Sequence, residues 1–164
     1  MSQSEKNLWA AFAGESQANR KYLAFAVQAE KEGYKQAAKL FRAAAEAETI
    51  HAHSHLKSLG VVGSTLDNLK AAVAGETDEF ENMYPEMIAT AEAEGNKAAR
   101  QSFTFANEVE KTHASLYQKA IDSINSMADC DYYICKVCGH THENNAPEKC
   151  PVCGANARAF FKAE

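Results

Sequence analysis

Two Glu-x-x-His tetrads, Glu48 to His51 and Glu110 to His113, constrain this chain more than any other feature. On a helix, residues three apart lie one above the other, so each tetrad sets a carboxylate beside an imidazole on one face. Apolar residues recur around both tetrads at steps of three and four, the period of a helix with one buried stripe. One stripe runs through Leu8, Phe12, Glu15, Asn19, Tyr22 and Ala26, and a second through Tyr34, Ala37, Phe41, Ala44, Glu48 and His51. A third runs through Glu76, Glu79, Met83, Met87 and Ala91, and a fourth through Ala99, Ala106, Glu110, His113 and Tyr117. Every stripe carries a carboxylate where an ordinary bundle has Leu or Val.

The stripes imply four helices, over about 3–31, 34–59, 76–94 and 96–127, with Gly33, Gly60 and Gly95 as stop signals. The first and last links are short, so each pair of helices is expected to form an antiparallel hairpin. Residues 60–75 read as a long connection whose short apolar stretch, Leu66 to Val73, offers a short helix of its own. Two hairpins joined by one long crossover are the ferritin-like arrangement, so the expected fold is an all-α four-helix bundle over residues 1–128.

A carboxylate in a bundle core is costly unless it is paired, hydrogen-bonded or bound to metal. A shared multivalent cation makes all four stripes tolerable at once. Glu15 precedes Glu48 by 33 residues and Glu76 precedes Glu110 by 34, so the chain reads as two similar helix pairs. Each pair offers one Glu and one Glu-x-x-His, the donor set of di-iron carboxylate bundles. Glu79 adds a carboxylate one turn after Glu76 and points to ligand exchange, for example against His51. Carboxylate-rich sites with two imidazoles suit iron or manganese better than copper or zinc. Two redox metals about 3.5–4 Å apart hold both oxygens of a small substrate, which points to O₂ or H₂O₂. Tyr22 and Tyr84 lie within about two turns of Glu15 and Glu79, where their hydroxyls can bond ligands or pass protons. Glu46, Glu81, Glu92, Glu94, Glu108 and His53 fall off the stripes and read as surface residues, and His55 as a core or end residue.

Composition changes near residue 130. All five cysteines lie between Cys130 and Cys153. Cys135-Lys136-Val137-Cys138-Gly139 and Cys150-Pro151-Val152-Cys153-Gly154 form two knuckles, which together make a tetrahedral site of four thiolates suited to iron or zinc. Tyr132, Tyr133, Phe160 and Phe161 are available to pack a module too small for a core of its own. Cys130 is left over and reads as a free thiol. Residues 129–164 therefore form a separate metal-stapled unit. A net charge of −5 without a basic block argues against nucleic acid as a partner. The first residues have no apolar signal region and no apolar run approaches a membrane span, so the expected location is the cytoplasm.

These stretches resemble rubrerythrin over essentially the whole chain. The resemblance rests on Gly14-Glu15-Ser16-Gln17-Ala18 through Tyr22, Glu48-Thr49-Ile50-His51-Ala52, Gly75-Glu76 through Met83-Tyr84-Pro85, Glu110-Lys111-Thr112-His113, and a rubredoxin-like tail with Cys135, Cys138, Cys150 and Cys153. It implies a ferritin-like bundle with a non-haem di-iron centre on Glu15, Glu48, His51, Glu76, Glu79, Glu110 and His113, with Tyr22 and Tyr84 beside it. It also implies a third iron on the four cysteines, and two-electron reduction of hydrogen peroxide to water as a defence against oxidative stress. Rubredoxin or a nicotinamide-dependent reductase is the implied electron donor. A homodimer or larger oligomer is implied too, the thiolate-bound iron lying closest to the di-iron centre of a neighbouring subunit. The alternative is a ferroxidase, an iron-handling protein or an O₂ reductase built on the same bundle.

Overall fold

The computed structural model describes residues 1–163, and its contacts divide the chain into two compact units, Met1–Gly63 and one that begins at Ser64. The first unit is a helix hairpin of α1, Gln3–Lys31, and α2, Lys35–Leu59. Ser2 starts α1 with a capping box: its hydroxyl accepts from the Glu5 amide at 3.2 Å, and the Glu5 carboxylate accepts from the Ser2 amide. At the other end Gly33 takes φ +86°, and the Tyr34 amide donates back to the Ala29 carbonyl at 2.8 Å. The left-handed turn satisfies helix-end carbonyls that would otherwise be orphaned, at little cost to a residue without a Cβ.

Small residues bring the two axes together. Ala38, Ala45 and Ala52 are buried at seven-residue intervals on α2, with Ala26 and Ala29 buried on α1 and Phe41 packed over the upper cluster. Asn19 is buried among them and donates to the Ala45 carbonyl at 2.7 Å and to Thr49 Oγ1 at 2.9 Å. The seam thus lies one residue beyond the stripe expected through Ala37 and Ala44. Neighbouring alanines at 37–38 and 43–45 make the period ambiguous there, and Tyr34, at the helix start, is 64% exposed.

The second unit corrects the expected crossover. Helix α3 runs Thr65–Asp78, passes through a π-helical turn at Glu79–Met83 and continues as α4, Tyr84–Ala93. Only residues 60–64 connect α2 to α3, so the long connection over 60–75 does not exist. Gly60 is the true stop, at φ +66°. Ser64 is the true start, its hydroxyl accepting from the Asp67 amide at 3.2 Å and donating to Asp67 Oδ2 at 2.6 Å. Gly75 lies inside α3 in ordinary helical conformation; a helix-interior glycine costs about 1 kcal/mol, which does not break a helix capped and packed elsewhere. The π turn has a sequence cause in Pro85, which has no N–H for the carbonyl four residues back and whose ring crowds it. One widened turn relieves this, with the Tyr84 amide bonding the Glu79 carbonyl.

Helix α5, Lys97–Asp122, follows a turn that repeats the first hairpin's: Gly95 at φ +68°, and the Asn96 amide donating to the Ala91 carbonyl at 2.9 Å. Beyond α5, β1 (Tyr132–Cys135), β2 (Thr141–Glu143) and β3 (Phe160–Lys162) form a three-stranded antiparallel sheet in the order β2-β1-β3. Its small core is Cys135, Cys150 and Phe160, covered by Tyr133, Val152 and Ala155.

The early start of α3 can be checked directly. Amides from about 69 to 74 should resist hydrogen exchange as well as those after Glu76, and Ser64→Ala should cost about 1 kcal/mol in denaturant unfolding. Unprotected amides there would restore the crossover reading.

Candidate metal centres

In the first unit, Glu15 of α1 meets Glu48 and His51 of α2. His51 Nδ1 lies 2.9 Å from Glu48 Oε2 and 4.0 Å from Glu15 Oε1. In the second unit, Glu76 of α3 meets Glu110 and His113 of α5, with His113 Nδ1 2.7 Å from Glu110 Oε2 and 3.8 Å from Glu76 Oε1. Within each triad the donor atoms all lie within 4.8 Å of one another. Donors bound to one ion at about 2.0–2.2 Å stand up to roughly 4.4 Å apart, so each triad needs little adjustment to close on a metal. Both triads use the same histidine nitrogen and the same helical spacing. The second is the more sheltered, its imidazole 27% exposed against 56% for His51.

The field around the second triad is strongly negative. Burial, then the Glu110 carboxylate, pushes the Glu76 carboxyl above its ordinary range. Burial, then Glu76, does the same to Glu79. Burial raises the Tyr84 phenol, helped by Glu79, Glu110 and Glu76. Glu79 opens the π turn and lies beside the triad, outside its close group. The Tyr84 ring packs on Phe103 with centroids 6.4 Å apart. In the first unit, Tyr22 packs between Phe25 and Phe41, at 6.3 and 6.2 Å.

The four cysteines converge. Cys135 Sγ lies 3.7 Å from Cys153 Sγ, and Cys138 Sγ 3.5 Å from Cys150 Sγ. A tetrahedron with metal–sulfur bonds of about 2.3 Å has edges of about 3.8 Å, so the sulfurs are already spaced for one ion. The two knuckles have matching geometry. The Gly139 amide donates to the Cys135 carbonyl at 2.8 Å and the Gly154 amide to the Cys150 carbonyl at 2.9 Å, both glycines at positive φ. Burial drives the Cys138 thiol well up; at Cys135 burial also pushes up, but the amides of Cys138 and Val137 together with the Cys153 and Cys138 thiols pull the thiol down overall. Cys130 stands apart, its thiol directed at the Asp131 carbonyl, 3.4 Å, and Glu143 Oε1, 3.8 Å. One residue that sequence reasoning did not single out reaches a metal triad: Thr141 Oγ1 lies 3.1 Å from His113 Nε2. No spacing rule signals this contact, which depends on how the cysteine module packs against α5.

A carboxyl whose pKa rises on folding stabilises the fold while protonated, and that contribution is lost as pH climbs through the folded pKa. The metal-free chain should therefore lose stability as pH rises above the carboxylate range. Glu76→Gln should melt higher than wild type near pH 7 in chelator, with the gap narrowing towards pH 4.

Comparison with known proteins agrees with this geometry. The rubrerythrin family model matches residues 6–121, and the model for the rubrerythrin rubredoxin-like domain matches residues 133–161. Rubrerythrin-2 of Clostridium acetobutylicum is 38% identical over 93% of this chain and 92% of its own length. Nigerythrin of Nitratidesulfovibrio vulgaris is 36% identical over 90% of this chain and 80% of its own. Among solved structures, the mixed-valence state of nigerythrin covers 99% of this chain and 88% of its own, with a TM-score of 0.60 and 35% identity. The chain belongs to the rubrerythrin family: an iron-dependent oxidoreductase of the ferritin-like class, with a carboxylate–histidine triad for iron in each of its two units and a rubredoxin-like four-cysteine module for a further iron.

Proposed function

We propose that this protein reduces hydrogen peroxide to water, H₂O₂ + 2H⁺ + 2e⁻ → 2H₂O, with electrons entering through the four-cysteine module. The observation that carries the reading is the pair of matched triads, each with a Glu and a Glu-x-x-His closed within 4.8 Å, on a chain that also gathers four thiolates. Bound iron supplies the two-electron reduction.

The chain's own residues divide the remaining work. Glu15, Glu48 and His51 would hold one metal, and Glu76, Glu110 and His113 another. Glu79 is the spare carboxylate beside Glu76 and His113, and would offer a metal held by the second triad an alternative oxygen ligand. Tyr84, like any phenol, keeps its proton at neutral pH, and burial with Glu79, Glu110 and Glu76 raises its pKa further, so it stands as a hydrogen-bond donor beside the second triad. Tyr22, in its cluster with Phe25 and Phe41, helps exclude water. Cys135, Cys138, Cys150 and Cys153 would hold a single iron, which would supply the entry point for electrons from rubredoxin or a nicotinamide-linked reductase.

A ferroxidase would use the same carboxylates but leaves the cysteine module without a task. Among the described residues no helix is long and apolar enough to cross a membrane, and we place the protein in the cytoplasm as a homodimer or larger assembly. Glu79→Ala should slow peroxide turnover on the order of tenfold or more while the helical circular dichroism and thiolate absorbance stay unchanged. Turnover equal to wild type would remove Glu79 from the mechanism.

A further inference from the structure

The loop after the first cysteine knuckle lies along α5 through a series of specific contacts. Gly139 faces Val109, where an added Cβ would sit 4.0 Å from Val109 Cγ1. His140 is buried, and Thr141 reaches His113 Nε2 at 3.1 Å. Further along the helix, Lys119 Nζ pairs with Glu143 Oε2 at 2.6 Å. Val109 and His113 are one helical turn apart, so Gly139 and Thr141 meet the same face of α5 that presents the His113 imidazole.

The contact at His113 has a chemical consequence. A cation held against Glu76 and Glu110 needs the lone pair of His113 Nδ1, the nitrogen that faces both carboxylates. The imidazole proton must then sit on Nε2, where it needs an acceptor. Thr141 Oγ1 is in place, and it is free to accept because its own proton points to the Gly139 carbonyl at 3.5 Å. His51 presents the same Nδ1 to Glu48 and Glu15, yet it is more than half exposed, and among the described residues its Nε2 has no such partner.

We propose that Thr141 is a positioning residue for His113, and that through it the cysteine module is fastened to the metal ligands of its own chain. The inference rests on the ligand role given to His113 above. A continuous path then joins the two kinds of centre within one polypeptide: Cys138 to Gly139 by the backbone, the Gly139 carbonyl to Thr141 Oγ1, and Thr141 Oγ1 to His113 Nε2.

The test is an anaerobic Fe(II) titration of the full-length protein as wild type, Thr141→Val, Thr141→Ser and His113→Ala, with thiolate absorbance recorded to confirm that the module is folded. Thr141→Val should weaken Fe(II) binding at one site by about 10- to 100-fold, and Thr141→Ser should restore it. Equal affinity in Thr141→Val and wild type would overturn the role of Thr141. If His113→Ala also binds as wild type, the ligand assignment itself fails, which separates the two readings. Should Thr141→Val lose its thiolate absorbance, the imidazole nitrogen spectrum of the zinc-loaded wild type decides. A proton on His113 Nε2 that is slow to exchange with solvent supports the assignment; a proton on Nδ1, or rapid exchange, refutes it.

Discussion

Like charges held close together on partly sheltered helix faces are the constraint around which this protein is arranged. Glu76 and Glu110 approach the same imidazole nitrogen, and burial with mutual repulsion keeps Glu76 reluctant to ionise. A helix pair chosen for stability alone would place Leu or Val there. The small-residue seam of Ala26, Ala29, Ala38, Ala45 and Ala52, the Asn19 bonds across it and the paired glycine turns all stabilise the helix pairs independently of the triads. A cation bound there would convert the repulsion into coordination, so its affinity would draw on repulsion that the metal-free fold already carries.

Much of this was legible in the residues because it is local. Glu-x-x-His works by helical periodicity, and two cysteine knuckles followed by glycine work by turn geometry, so neither needs knowledge of the tertiary fold. The hairpin turns were legible for the same reason, Gly33 and Gly95 supplying the left-handed residue each requires. The start of α3 was not. Gly75 suggested a boundary that Ser64 overrides, since a side-chain cap and a continuous helix outweigh the modest penalty of one interior glycine. The π turn had a signal in Pro85, but its position depends on which carbonyl the ring displaces. The true seam of α2 was hidden by runs of alanine, which fit either of two neighbouring registers.

The contact between Thr141 and His113 belongs to a third category. It joins residues 28 positions apart on elements with unrelated periodicities, a strand edge and a helix face. Nothing in the spacing of either element announces it. Its importance follows from chemistry once the module is docked: an imidazole that binds metal through one nitrogen needs the other satisfied, and the hydroxyl that reaches it is on the four-cysteine module. The same docking places Lys119 against Glu143, so the module is held at more than one point along α5.

The most direct test of the central claim is stopped-flow absorbance of the reduced, iron-loaded protein, mixed in separate runs with hydrogen peroxide and with air-saturated buffer. A peroxidase predicts rapid oxidation by peroxide at both the carboxylate–histidine irons and the thiolate-bound iron, with much slower oxidation by O₂. Faster reaction with O₂ than with peroxide would contradict the account and favour the ferroxidase or O₂-reducing chemistry that the same ligands permit.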